Sequence, residues 1–307
     1  MADNYEIHVP VLPREVVEWL APESSKVYVD GTLGLGGHAS LILEKSSPSG
    51  RVVGFEWDKQ AARLAAANLQ RFGKRFTLVE ASYADIVEQC SVIGLEQVDG
   101  VLVDLGLSSL QLDTPERGFS FMTDAPLDMR MGSHLKVTAA ELVNRLKKDD
   151  LADIFFNYGE ERQSRRIARF IVEARMKQPV NTTRQLADIV GKAVPPKYHP
   201  KKKHVATKVF QALRIAVNRE FDNLVKLLAD VPRLLVPGGR LCVISFHSLE
   251  DRIVKQALAA HPGLKILTRK PVGPGADEIE ENRRSRSAKL RVAERIEEIS
   301  DGCSSCL

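Results

Sequence analysis

The sequence predicts an α/β protein: a mostly parallel sheet covered on both faces, interrupted by an all-helical insertion. Three observations carry this reading. Short β-branched runs alternate with helical repeats in the first part of the chain, the alternation stops after Asp104, and it returns beyond Val205.

Taken in order, strands are predicted at residues 27–30, 51–56, 76–80 and 100–104, each an apolar run ending in polar residues or glycine. Residues 59–72 repeat Ala62, Leu64, Ala65 and Leu69 at helical spacing. Strands separated by helices pair in parallel and are covered on both faces. From 113 to 205 the pattern gives helices at 139–146, 151–156, 160–177 and 183–192, with no convincing strand. One long helical pattern follows at 206–235, then a Pro237-Gly238-Gly239 turn, a strand at 240–245, and weaker strands at 265–268 and 289–293. The organisation expected is one discontinuous α/β domain, residues 1–112 and 206–307, split by a helical insertion at 113–205.

Composition bounds the function. Of 307 residues, 44% are hydrophobic and 27% charged, as in ordinary soluble proteins. No apolar run reaches the roughly 18 residues of a membrane span, and the acidic N-terminus does not read as a signal peptide. The cytoplasm is the expected location, with no membrane partner. Cys90, Cys242, Cys303 and Cys306 are too few for a disulfide framework. Cys242 reads as core, and the Cys303–Cys306 pair lacks a second pair of ligands, so no metal site is expected. Between 113 and 203 there are 18 Lys+Arg against 12 Asp+Glu; of the net +4, this segment holds +6 and the remainder −2 (4 − 6). A polyanionic partner is implied.

The first strand runs into VYVDGTLGLGGH, residues 27–38, where Gly34, Gly36 and Ala39 fit a G-x-G-x-x-A fingerprint at the carboxyl end of the sheet. That fingerprint alone would suit an NAD-dependent oxidoreductase. Asp30 argues otherwise, because a pyrophosphate wants backbone N–H groups and no carboxylate. Like charges roughly 4–5 Å apart cost about 1 kcal/mol in water and more in a cleft. S-adenosylmethionine, with its ammonium and sulfonium, suits an acid at this place. The structural alternative is that Asp30 caps the loop through Thr32 N–H. Glu56 stands where such sheets place the acid for the ribose hydroxyls, about 20 residues past the glycines. Tyr83 can flank the adenine, and Asp104 ends the strand beside the first. The four strand ends together read as a cofactor rim.

Several long strings go further: HVPVL at 8–12, DGVLVDLGLSSLQLD at 99–113, ERGFSFMTDAPLDMRM at 116–131 and YGEER at 158–162. TKVFQALRIAVNRE at 207–220, GGRLCVISFHSLEDRIVK at 238–255 and NRRSRSAKLRVAER at 282–295 complete the set. On these the sequence resembles the RsmH/MraW family of methyltransferases, over nearly its whole length, which implies that the sheet is Rossmann-like and of the class I methyltransferase type. The resemblance implies S-adenosylmethionine as cofactor, held by Gly36, Gly37, His38, Glu56, Tyr83, Asp104 and Gln111. It also implies methylation of the N4 amine of a decoding-centre cytidine in 16S rRNA, within the small ribosomal subunit, with the insertion recognising substrate. A homodimer is left open, and a catalytically inactive rRNA-binding assembly factor is the non-enzymatic alternative. Three departures stand out: Glu56 where the family has Asp, Leu110 where it has Pro, and Val205 with Lys208 where it has Pro and Arg, the last losing bidentate geometry.

Cytosine N4 is a poor nucleophile, so the site must orient it and offer acceptors to its N–H groups. The candidates are Asp104, Ser108 and Ser109, with the carbonyls of 105–107; the two serines fit helix capping equally well. His247 follows the strand at 240–245 and is a candidate for base or phosphate contact, while Ser248 and Asp251 form a capping-box pattern. Phe246 offers a stacking surface for an unstacked base. For RNA, Arg162, Arg165, Arg166 and Arg169 share one side of the 160–177 helix. Residues 195–219 hold Lys197, Lys201, Lys202, Lys203, Lys208 and Arg214 without an acid, and Arg283, Arg284, Arg286, Lys289 and Arg291 form a third basic run.

Overall fold

A computed structural model describes residues 10–297. The terminal parts of two sequence readings, His8–Val9 and the Cys303/Cys306 pair, lie outside the described residues. Within them the chain forms two compact units, one built from the chain up to Gly106 and from Asn223 onward, the other Leu107–Asp222.

The first unit alternates as the sequence predicts: α1 (Pro13–Leu20), β1 (Val27–Asp30), α2 (Gly37–Lys45), β2 (Arg51–Phe55), α3 (Lys59–Leu69), β3 (Phe76–Val79), α4 (Ile86–Val92) and β4 (Val98–Asp104). The second unit supplies α5 (Ser109–Asp113), α6 (Ala139–Arg145), α7 (Lys148–Gly159), α8 (Ser164–Arg175), α9 (Thr183–Ala193) and α10 (Thr207–Asn218). Then come α11 (Glu220–Leu234), β5 (Leu235–Ser245), α12 (Ser248–Ala260), β6 (Leu264–Ile266), α13 (Ala276–Glu281) and β7 (Lys289–Arg295).

The seven strands form one sheet in the order β3-β2-β1-β4-β5-β7-β6. The first five are parallel, and β7 enters antiparallel between β5 and β6. Alternation along the strands sorts the core into two layers. Val29, Val101, Val103, Leu241 and Val243 point to the layer of α4, α11 and α12, where Ile86, Leu227, Val231 and Val254 meet them. Tyr28, Leu102, Cys242 and Ile244 point to the layer of α1, α2 and α3, with Val16, Ile42 and Ala65. Cys242 is fully buried core, and burial pushes its thiol up to about 12. No described helix is long and apolar enough to cross a membrane.

Three sequence expectations need correction. The pattern at 206–235 is two helices, because Arg219 takes left-handed backbone (φ +52) and ends α10; apolar phase carries across such a break, so periodicity does not register it. The helix expected from 160 starts at Ser164, since Glu160 also turns left-handed (φ +49) and closes α7. The Pro-Gly-Gly turn is an irregularity within β5, whose partner register shifts between Val98 and Gly100. The second compact unit runs from Leu107 to Asp222, with α10 packed along α7.

That second unit has its own core, with Val143, Leu151, Phe155, Ile167, Ile171, Leu186, Val190, Val209 and Leu213 all buried. At its centre the PLDMRM segment is held by side chain-to-backbone bonds. Asn218 Oδ1 accepts Met131 N–H at 2.7 Å, and Asn218 Nδ2 donates to Met129 O and Arg214 O, both at 2.8 Å. Met129 is fully buried with φ +64, a conformation that a non-glycine residue keeps only when its surroundings impose it.

Candidate functional site

The sheet order reverses between β1 and β4, the point at which open α/β sheets hold ligands. Asp30 ends β1 there. The loop behind it is stitched across both neighbouring strands: Gly31 N–H donates to Leu102 O at 2.8 Å and Leu33 N–H to Phe55 O at 2.9 Å. Backbone at Gly34 (φ +53) and Gly36 (φ +86) then turns left-handed before α2 begins at Gly37. A side chain at Gly36 would stand 2.8 Å from Leu69 Cδ1, so glycine is what lets the loop seat on α3.

Around this loop lie polar atoms that the protein leaves unsatisfied. Asp30 is 1% exposed; its Oδ1 accepts Thr32 N–H at 3.2 Å, while Oδ2 is buried without a partner among the described residues. Both ring nitrogens of the buried His38 lack hydrogen-bond partners among the described residues, and Nε2 stands 3.7 Å from Asp104 Oδ2. Asp104 Oδ1 is likewise buried and unsatisfied, although Asp104 N–H is fixed by Thr32 Oγ1 at 2.6 Å. Burial pushes Asp30 up to about 6, against the opposing pull of His38 and of Thr32 N–H. Buried polar atoms are nearly always bonded. Four orphans in one place fit a ligand that brings N–H donors and positive charge. Two carboxylates and an imidazole do not fit a pyrophosphate.

Glu56 has a different character. Its Oε2 accepts Gly34 N–H at 3.0 Å and its Oε1 accepts Asp58 N–H at 2.9 Å, so the carboxylate ties the glycine loop to the start of α3. Burial, and then the nearby Asp58 charge, push it up to about 7 against those bonds. Trp57 N–H also favours the charged form, and the carboxylate keeps acceptor capacity beyond these bonds for an outside donor. Tyr83 follows β3 and meets Trp57 at a centroid distance of 6.3 Å, so two rings border the site where the sequence reading named one. From sequence Thr32 reads only as a loop donor, and Trp57 carries no expectation. The clue to both was position: each directly follows a strand-end acid by one or two residues.

The remaining candidates divide between the units. Ser108, Ser109 and Gln111 belong to the second. Ser108 Oγ accepts Gln111 N–H at 3.2 Å and Gln111 Oε1 accepts Ser108 N–H at 3.1 Å, a capping box that starts α5. In the first unit His247, not Ser248, is the N-cap of α12. Its Nδ1 accepts Glu250 N–H at 3.3 Å, and Glu250 Oε2 accepts Phe246 N–H at 2.9 Å. Asp251, expected in that capping box, instead pairs with Arg291 at 2.6 Å and Lys289 at 3.4 Å. The third basic run is thereby divided: Arg291 is buried, whereas Arg284 and Arg286 remain exposed. In the second unit Arg162, Arg166 and Arg169 are exposed, opposite the buried Ile167 and Ile171. Arg166 Nε also donates to Ala193 O, and Arg169 pairs with Glu173 at 3.6 Å. Lys201, Lys202 and Lys203 are exposed; Lys208 Nζ donates to Glu160 O at 2.8 Å. Arg214 grips Glu220 bidentately at 2.8 and 2.9 Å with little exposure. Among the described residues no group of three or more His, Cys, Asp or Glu is placed to hold a metal ion.

Comparison with known proteins adds identity to this geometry. The chain is 52% identical over 294 residues to Ribosomal RNA small subunit methyltransferase H of Desulfotalea psychrophila, covering 96% of this chain and 100% of that one. It is 50% identical over 307 residues to the protein of the same name from Geobacter sulfurreducens, covering 94% and 99%. A solved structure of an rRNA methylase from Streptococcus thermophilus superposes with a TM-score of 0.42 at 11% identity, covering 93% and 94%, a likeness too weak to bear on the assignment. The pattern of the MraW methylase family runs through residues 5–296. Nearly the whole chain, both sheet halves and the helical unit between them, thus belongs to the MraW methylase family.

Proposed function

We propose that the protein methylates small-subunit ribosomal RNA, at the exocyclic N4 amine of a decoding-centre cytidine, using S-adenosylmethionine. The observation that supports this most is the orphaned set Asp30 Oδ2, His38 Nδ1 and Nε2, and Asp104 Oδ1 at the sheet reversal. Its family, and relatives named as rRNA small subunit methyltransferases, point to the same chemistry.

Bound there, S-adenosylmethionine supplies an electrophilic methyl group. The protein's part is binding and orientation. Asp30 holds the cationic methionine end, and the remaining Glu56 lone pairs take the ribose hydroxyls. Tyr83 and Trp57 wall the adenine, while Gly36, Gly37 and His38 line the loop beneath. Asp104 accepts an N–H of the target amine, which favours a pyramidal nitrogen and its lone pair over delocalisation into the ring. Ser108 and Gln111 fix the start of α5 through their reciprocal cap, and Ser109 leads that helix. His247 acts as a positioning residue, capping α12 and fixing Phe246 through Glu250. Arg162, Arg166, Arg169, Lys201, Lys202, Lys203, Lys208, Arg284 and Arg286 make up the phosphate-facing set.

The direct test is nucleoside mass spectrometry of 16S rRNA from unmodified small subunits incubated with the protein and S-adenosylmethionine. N4-methylcytidine is expected. Methyl transfer to another base, or cofactor binding without any transfer, would sink the reading; the second outcome would favour an inactive assembly factor.

A pH dependence follows from the buried carboxylates. Asp30 is protonated below about 6 and then no longer complements a cation. Affinity for S-adenosylmethionine therefore falls about fivefold between pH 6 and pH 5, and about tenfold from pH 8 to pH 5, with proton release on binding near pH 6. The ligand-free protein responds oppositely. Asp30 and Glu56 bind protons more tightly folded than unfolded, so their contribution to stability grows as pH falls from 7 towards 4.5. Calorimetric titration in two buffers of different ionisation enthalpy, with thermal melts at each pH, checks both signs. Affinity that is flat from pH 8 to pH 5 contradicts the role given to Asp30.

A further inference from the structure

Residues 195–204 of the second unit, PPKYHPKKKH, carry a pattern that the cofactor chemistry leaves unused. A short 3-10 turn, Pro196–Tyr198, lies in a segment stiffened by Pro195, Pro196 and Pro200. The segment satisfies its own backbone: Tyr198 N–H donates to Pro195 O at 2.9 Å and His199 N–H to Pro196 O at 3.0 Å. His199 is tied back as well, with Nε2 2.9 Å from Val194 O. What remains on the surface is the Tyr198 ring, 54% exposed, with Lys197 Nζ 4.9 Å from its centroid. Lys201, Lys202 and Lys203 follow, all exposed, in a stretch without an acid from 195 to 219.

A second flat surface closes the run. The exposed His204 ring lies against Phe121 with centroids 4.7 Å apart and planes 34° from parallel. Phe121 is backed edge-on by Phe210 at 4.9 Å, and His204 Nδ1 accepts Ala206 N–H at 3.2 Å. Both contacts fix the orientation of the His204 plane. Rings held rigidly lose little freedom when something stacks on them.

The order along the chain is ring, three cations, ring. Lysines alone would suit any polyanion, duplex or acidic protein alike. Exposed flat rings add something only if the partner offers π-faces, which a duplex hides between its own base pairs and an unpaired strand presents. We infer that residues 195–204 form a platform for single-stranded RNA: Tyr198 stacks one base, His204 on Phe121 stacks another, and Lys201–Lys203 contact the phosphates between them. This rests on the reading of the substrate as RNA and adds to it that the contacted stretch is unpaired.

The test uses the full-length protein and fluorescence anisotropy with a labelled single-stranded RNA, the same sequence as a duplex, and polyglutamate as competitor. Wild-type protein should prefer the single strand. Tyr198→Ala should weaken single-strand binding about tenfold and Tyr198→Phe less than about twofold, with duplex binding unmoved by either. The triple change Lys201→Gln, Lys202→Gln and Lys203→Gln should lower the salt slope by about two, at roughly 0.7 per lost phosphate contact on a single strand. Equal losses on duplex and single strand, an unchanged Tyr198→Ala, or polyglutamate competing as well as RNA of equal charge each overturn the platform. S-adenosylmethionine affinity, measured on the same samples, separates the two readings. Expected RNA behaviour without cofactor binding keeps the platform and removes the methyltransferase; cofactor binding and methyl transfer with an indifferent Tyr198 do the reverse.

Discussion

Asp30→Asn weakens S-adenosylmethionine binding by about 1.5–3 kcal/mol, roughly 10- to 150-fold, while the ligand-free protein folds at least as stably as wild type. The asymmetry is the point of the experiment. Asparagine keeps an oxygen for Thr32 N–H, the one bond that Asp30 Oδ1 makes within the loop. What it removes is a charge held at 1% exposure whose other oxygen has no partner of good hydrogen-bond geometry among the described residues, a burden to the empty fold that a bound cation relieves. Calorimetry with S-adenosylmethionine and with its demethylated product, which lacks the sulfonium charge, locates the contact. Equal losses for both place Asp30 against the ammonium, and a loss confined to the charged sulfur places it there. Affinity unchanged for either molecule removes Asp30 from the site.

The second large effect concerns folding. Asn218→Ala should destabilise the protein by about 3–5 kcal/mol in chemical denaturation. Alanine leaves Met131 N–H and Met129 O without the partners they have at 2.7 and 2.8 Å, in surroundings where Met129 is fully buried and Met131 nearly so. It also releases the clamp on Met129, whose left-handed backbone then has less to hold it. Asn218→Asp keeps the acceptor, loses the donor and introduces a buried charge, so it should be no milder. A loss under about 1 kcal/mol would mean that the PLDMRM segment is held by packing alone.

The fold was legible for reasons that are local. Val29, Val53, Val101 and Val103 are buried in short runs punctuated by glycine and acids, and such runs have few readings other than parallel strands. The amphipathic face of α8 was equally visible, Ile167 and Ile171 inward and the arginines outward. Less legible was anything decided by a single residue's backbone sign. Arg219 breaks a helix without a proline or glycine to announce it, at the end of α7 Glu160 and not the adjacent Gly159 takes the left-handed turn, and Met129 turns left-handed although its side chain disfavours it. In each case distant atoms outvote local preference.

The site divides in the same way. By itself, the sequence determined which strand ends carry Asp30, Glu56, Tyr83 and Asp104, because strand tips follow from where apolar runs stop, and the quoted motifs pointed to the family. Only the tertiary structure decided what those groups do with their lone pairs. It gave both Glu56 oxygens loop N–H groups to hold, left Asp30 Oδ2, Asp104 Oδ1 and the His38 ring unsatisfied, and committed Arg214 to Glu220 and Arg291 to Asp251. The physical reason is range. Whether a run is apolar is a property of neighbours in sequence, whereas whether a buried charge has a partner depends on atoms up to tens of residues away, brought within about 3 Å by the packed fold.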